Sequence, residues 1–182
     1  MEFLCLDFVN SSWYITHESR QDPLRSGDWL QQLAGGWGLE PLPAAMEAEL
    51  EGLLEQRSQF ERLLTKIAEG GKLDETDIKL INEYMDSVHF SRVLEAGESG
   101  SRLYDRPVER SWKWFMAETA ASLSRLYTSE YADKLKICRN PECGWFFIDE
   151  SRQGNRKWCG DTCASLIKVR RFRQRQKDKG DS

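Results

Sequence analysis

Four of the chain's five cysteines fall inside one stretch, CRNPECGWFFIDESRQGNRKWCGDTC, from Cys138 to Cys163. They form two pairs, Cys138/Cys143 and Cys159/Cys163, on either side of an aromatic and turn-rich segment. A thiolate is a soft anionic ligand, and four of them in a tetrahedron are a standard structural zinc site. An iron–sulfur cluster or a redox dithiol is the competing chemistry. The first uses a different cysteine run and the second a Cys-x-x-Cys pair, and neither spacing occurs here. The stretch therefore reads as the site of one structural Zn2+ per chain, with Cys138, Cys143, Cys159 and Cys163 as ligands. Four protein ligands leave no open position on the metal, so no catalytic role is expected of it.

Those cysteines need elements to position them. Pro141-Glu142-Cys143-Gly144 reads as a tight knuckle that aims backbone N–H groups at sulfur. WFFID is expected as a strand, ESRQGN as a turn and RKW as a returning strand that delivers Cys159. A helix beginning near Gly160 would put Cys159 and Cys163, four apart, on one side. A knuckle, a hairpin and a helix start make a treble-clef-like module, of a size at which metal is commonly needed for folding.

Beyond Cys163 the helix continues as ASLIKVRRFRQRQK. Leu166, Val169 and Phe172 form a spaced apolar seam, expected to dock on Trp145, Phe147 and Trp158. Lys168, Arg171 and Arg175 form one flanking row, and Arg170, Arg173 and Lys177 another. Such rows can meet phosphates, and an arginine among them can reach guanine edges in a major groove. Arg152, Arg156 and Lys157, on the turn and returning strand, are candidates for further backbone contacts. The charge balance points the same way. Residues 1–151 hold 16 Lys/Arg against 27 Asp/Glu, a net −11, whereas residues 152–182 hold 10 against 3, a net +7. A solvated basic tail is the competing reading of that asymmetry.

The rest of the 182-residue chain reads as one helical body. Helices are expected over about 26–34, 44–69, 75–88 and 111–129, with Ser26 capping the first and Pro43 at the start of the second. The alternating, Gly-interrupted stretch between the last two is expected to form a hairpin. The longest helix carries Met46, Leu50, Leu53, Leu54, Phe60, Leu63, Leu64 and Ile67 on one face, and its charged face is expected in solvent. Cys5 is expected as a small buried hydrophobe. Asp7 and Asn10, among apolar neighbours, either bond the local backbone in a turn or, with Trp13, line a ligand pocket. The apolar opening has no basic n-region and is broken by Asp7. A cytoplasmic protein without membrane association is therefore expected. No Gly-rich phosphate loop, Gly-x-Ser-x-Gly elbow or His-Glu-x-x-His helix occurs, so an enzyme is not expected.

At LCLDFVNS (residues 4–11), DWLQQL and CRNPECGWFFIDESRQGNRKWC the sequence resembles the CGNR zinc-finger proteins. Their preceding region is the ABATE domain, and they are described as stress-induced transcription regulators. The resemblance spans nearly the whole chain and implies zinc ligation by the same four cysteines. It departs at the motif that names the family: this chain has Cys163-Ala164-Ser165-Leu166 in place of Cys-Gly-Asn-Arg.

The overall expectation is a mainly α (α+β) protein. Residues 1–132 form an ABATE-like helical body with a small β-hairpin, and residues 133–182 a treble-clef-like zinc module with a basic helix. The leading functional expectation is a zinc-binding, DNA-binding transcription regulator with a small-molecule effector; a palindromic operator would require a homodimer. The alternative is a zinc-stabilised protein-interaction or small-molecule-binding protein that does not bind DNA.

Overall fold

In the computed structural model, residues 2–13, 21–97 and 100–180 are described, apart from the side chains of 177–180. The opening stretch forms helix α1 (Leu4–Asn10). Leu4, Cys5, Leu6, Phe8 and Val9 are all buried. A helix enclosed on nearly every side shows no 3.6-residue polar period, which is why its sequence pattern is mute. Cys5 lies within it as expected. Its thiol is pushed up to about 12 by burial, and its backbone N–H is satisfied by Ser122 Oγ at 3.2 Å.

Helix α2 (Gly27–Gly36) follows a short 3-10 turn (Pro23–Arg25). The Ser26 side chain makes no cap hydrogen bond. Helix α3 (Glu47–Ala68) starts after Met46, later than expected, and the Glu49 carboxylate accepts from the Met46 N–H at 2.6 Å. Pro43 stays in the preceding loop, and its carbonyl accepts from Trp112 Nε1 at 3.1 Å. Gly70, at φ +80, lets the chain leave the helix end.

The charged face of α3 is not wholly in solvent. Gln56 and Arg57 are both buried, and Gln56 Nε2 donates to the Met116 carbonyl of the last body helix at 2.9 Å. Arg57 donates to Ser11 Oγ at 3.0 Å and to Asp22 Oδ1 at 2.7 Å, with its second nitrogen on Asp22 Oδ2. Burial works to raise the Asp22 pKa, and the Arg57 guanidinium more than reverses it, holding the carboxyl below its usual range.

Helix α4 (Glu75–Asp86) begins with a reciprocal cap. Asp74 accepts from the Thr76 and Asp77 N–H groups at 3.0 Å, and Asp77 accepts from the Asp74 N–H at 3.3 Å. Ile81 is buried, but Ile78 remains 44 % exposed, so the inward face is narrower than the sequence pattern implies. Strands β1 (Phe90–Gly97) and β2 (Gly100–Pro107) form the expected antiparallel hairpin. Leu94 and Leu103 are paired across it, and both are exposed. Helix α5 (Trp112–Tyr127) closes the body. Phe115 meets Phe8 and Trp112 edge-on, at 5.8 and 5.6 Å between ring centroids. Among the described residues, no helix is long and apolar enough to cross a membrane.

Asp77 ties α4 to α3. Its buried carboxylate accepts from Arg62 at 2.8 Å and from Lys66 at 2.6 Å. Desolvation alone would raise its pKa, but Lys66 and Arg62 bring it down to about 2 from an ordinary 3.8. This depressed value makes a stabilising contribution that is complete above pH 4 and is lost as the pH falls towards 2. Asp77→Ala should cost about 2 kcal/mol in urea unfolding at pH 7, from the lost cap and buried hydrogen bonds. The gap between variant and wild type should shrink between pH 4 and 2.

Candidate metal centre

Two three-residue strands frame the first cysteine pair: β3 (Leu135–Ile137) and β4 (Phe146–Ile148), antiparallel, with Ile137 opposite Phe146. This corrects the expected hairpin. The FFI strand pairs backward with LKI before the knuckle, not forward with RKW. Pairing backward lets the knuckle itself serve as the hairpin loop. The RKW segment returns without strand structure, and its Lys157 carbonyl accepts from the Arg139 N–H at 2.9 Å. Helix α6 (Asp161–Gly180) follows, starting where expected.

Within the knuckle, the Cys143 N–H donates to the Asn140 carbonyl at 2.8 Å, and the Cys138 N–H to the Trp145 carbonyl at 2.9 Å. Gly144 adopts φ +67, the left-handed conformation that this turn requires. The four sulfurs of Cys138, Cys143, Cys159 and Cys163 converge within 4.8 Å of one another. Cys143 and Cys159 are 3.6 Å apart, and Cys159 and Cys163 3.7 Å. A tetrahedron with metal–sulfur bonds of about 2.3 Å has edges of about 3.8 Å, so the donor set fits a soft tetrahedral cation. N–H donors reach the sulfurs, among them the Cys159 N–H on Cys138 Sγ and Asn140 Nδ2 on Cys163 Sγ, each at 3.4 Å.

The electrostatics suit a cation. Burial pushes the Cys143 thiol up to about 11 and Cys159 further still. Cys163 goes the other way: desolvation is outweighed by the Asn140 amide and the neighbouring thiols. A largely buried quartet of thiols resists becoming four thiolates until a divalent charge balances it.

A second buried carboxylate shapes the loop before Cys159. Asp149 accepts from the N–H groups of Ser151 at 3.0 Å and Arg156 at 2.8 Å, and pairs with Lys136 Nζ at 2.5 Å. Lys136, first among these causes, holds its carboxyl far below the usual range. The ammonium also donates to the Gly154 carbonyl at 2.6 Å. Arg156 belongs to this scaffold as well. It donates to the carbonyls of Trp158 and Cys159 and lies over the Phe147 ring at 5.1 Å. The guanidinium expected at a phosphate is thus already engaged inside the module.

Asn10 joins the module to the body. Its Nδ2 donates to the Phe146 carbonyl at 2.9 Å, and its Oδ1 accepts from the Phe146 N–H at 2.8 Å. The side-chain amide thereby acts as a one-residue strand partner for β4. Leu135 and Phe146 are buried in the same core as the helical body, and Trp13 meets Trp145 edge-on at 5.8 Å. The structure does not bring Asp7, Asn10 and Trp13 together: Asp7 lines a small cavity with Leu33 and Trp37, apart from the other two. Asp7 accepts from Trp37 Nε1 at 3.1 Å beside α2, and the other two are turned towards the cysteine module.

On α6, Cys163 faces inward, and Arg170 is drawn to the knuckle, donating to Asn140 Oδ1 at 3.4 Å and pairing with Glu142. Lys168, Arg171, Arg173 and Arg175 are exposed and, among the described residues, form no ion pair. Arg152 and Lys157 are also exposed, while the Lys177 side chain lies outside the described residues. The seam does not dock on the aromatics: Leu166, Val169 and Phe172 are 45, 47 and 56 % exposed.

The fold and this site define a helical body with a four-cysteine, zinc-finger-type module fixed to its surface. Residues 134–176 match the CGNR zinc finger family, and residues 2–130 match ABATE, whose description reads "Putative stress-induced transcription regulator". The chain belongs to the ABATE family, with a CGNR zinc finger after the ABATE region. A comparison with curated proteins finds no match.

Asn10, Lys136, Asn140 and Asp149 are the residues that sequence reasoning passed over or misassigned. The only signal for Asn10 was an amide among apolar residues. Asn10→Ala would leave both backbone groups of Phe146 buried without partners. It should destabilise the protein by about 3 kcal/mol in urea unfolding at constant zinc.

Proposed function

We propose that the module holds one structural Zn2+ through Cys138, Cys143, Cys159 and Cys163, and that the protein is a cytoplasmic DNA-binding transcription regulator. The carrying observation is helix α6, with Lys168, Arg171, Arg173 and Arg175 exposed and free of ion pairs among the described residues. Unpaired cations along a helix anchored beside a rigid module are suited to neutralising phosphates, and their placement at one end concentrates positive potential against an acidic body. The family matches support the same reading. Zinc would cross-link the knuckle to the start of α6 and so set the direction in which the helix leaves the module. With four protein ligands the metal has no position for a substrate, and the role is binding, not catalysis.

Arg156 and Arg170 are assigned to holding the module, and DNA contact to Lys168, Arg171, Arg173 and Arg175, with exposed Arg152 and Lys157 as further candidates. The triple variant Arg171→Ala/Arg173→Ala/Arg175→Ala should lose retention of genomic DNA fragments while keeping one zinc per chain by elemental analysis. In the wild type, log affinity should fall with log salt by about 0.9 per neutralised phosphate, and each removed contact should flatten that slope. Undiminished DNA binding by the triple variant would exclude α6 as the contact surface. Cys159→Ser should lower bound zinc and the urea midpoint together.

A further inference from the structure

A groove of about 540 Å³ runs between α3, α4 and α5, in the helical body. That volume falls within the roughly 300–1,000 Å³ typical of small-molecule sites. Leu80, Tyr84, Met116 and the edge of Trp112 supply an apolar floor, and Glu49, Glu55, Glu83 and Lys113 stand around it. We propose that this groove binds a lipophilic organic cation, with its apolar body on the Trp112/Met116 floor and its charge towards Glu55 and Glu83.

The first support is the shape of the floor. Gly52 sits in the middle of the 22-residue helix α3 and lines the groove. A Cβ there would meet Met116 Cε at 3.6 Å and Sδ at 3.9 Å, which are ordinary contacts. Alanine would therefore fit, and it favours a helix interior more than glycine does. Packing does not call for this glycine. What its missing side chain provides is open space above Met116.

Charge is the second support. Three carboxylates face one ammonium around the groove. Glu49 is committed to the Met46 N–H, Glu83 is loosely paired with exposed Lys79 at 3.8 Å, and Glu55 accepts from Gln59 Nε2 at 3.0 Å. Lys113 is exposed and can extend into water on its flexible stem. Tyr84, whose hydroxyl donates to Gln59 Oε1 at 2.8 Å, reports the local field: burial first, then Glu55 and Glu83, push its pKa up to about 12. An apolar floor under excess negative charge favours a cation over a neutral or anionic ligand of the same shape.

Tetraphenylphosphonium and tetraphenylborate have nearly the same shape and opposite charge, and serve as the probes. Titrated calorimetrically into the full chain without DNA, the phosphonium should bind saturably at one site, about tenfold or more tighter than the borate. Gly52→Leu should abolish that binding by filling the floor. Glu55→Gln/Glu83→Gln, at two exposed positions that do not threaten folding, should weaken the phosphonium about tenfold and narrow its advantage over the borate. Equal binding of the two ions, or phosphonium binding unchanged in either variant, would overturn the proposal.

Discussion

The reciprocal pair of hydrogen bonds between the Asn10 amide and the backbone of Phe146 is the contact on which the arrangement of the molecule depends. A three-residue strand such as β4 is too short to hold its place through its own ladder. It is held because Phe146 and Leu135 enter the body's core and because Asn10 satisfies the polar backbone that this burial would otherwise strand. The buried apolar side chains supply most of the adhesion. The amide decides where along β4 it is applied, since a slip of one residue would expose Phe146 and leave its N–H and carbonyl unpaired.

From that fixed strand the cysteine site grows outward in a definite order. β4 sets β3, the two strands close the knuckle, and the knuckle places Cys138 and Cys143. The Lys136–Asp149 pair then folds the following loop back, so that Cys159 and Cys163 arrive from the other side. A hydrophobic core could not do this alone, because the second cluster is small and consists mainly of the cysteines, Phe147 and half-buried tryptophans. The module therefore relies on buried ionic and hydrogen-bonded contacts where a larger domain would use apolar volume. Two basic residues near the sulfurs, Arg156 and Arg170, are drawn into that scaffold, which separates cations that build the site from cations that remain free.

What could be read from the sequence follows from the range of each signal. The knuckle and the four cysteines are local or nearly so, and the helices α3 to α5 announce themselves by periodicity. The Asn10–Phe146 contact spans 136 residues and leaves no pattern at either end. Gln56 and Arg57 looked like solvent-facing residues because periodicity records which face is polar, not what packs against it. The Asp22 carboxylate that receives Arg57 lies 35 residues earlier. The β4 pairing was misjudged because FFI is equally suited to a partner before or after it, and only the depth of burial at Leu135 and Phe146 selects the earlier one. For Leu166, Val169 and Phe172, an apolar spacing revealed a stripe but not the surface that it meets.

The body and the module divide the chain's electrostatics as well as its fold. Net negative charge in residues 1–151 repels phosphate from the helical body, while the net positive end holds its free cations on a helix that leaves the surface. With charge of both signs spread evenly, a polyanion could dock in many orientations with similar energy. Segregated charge, on a module held in place by buried contacts, favours one approach, with α6 first and the body away. The same segregation gives the acidic groove between α3, α4 and α5 a preference opposite to that of α6. A cation that suits the groove has no attraction to the helix, and a phosphate that suits the helix is repelled by the groove. On the two proposals, ligands of opposite charge would not compete, and any influence of one on the other would have to pass through the shared core around α1, where Phe8 meets Phe115 and Asn10 holds β4.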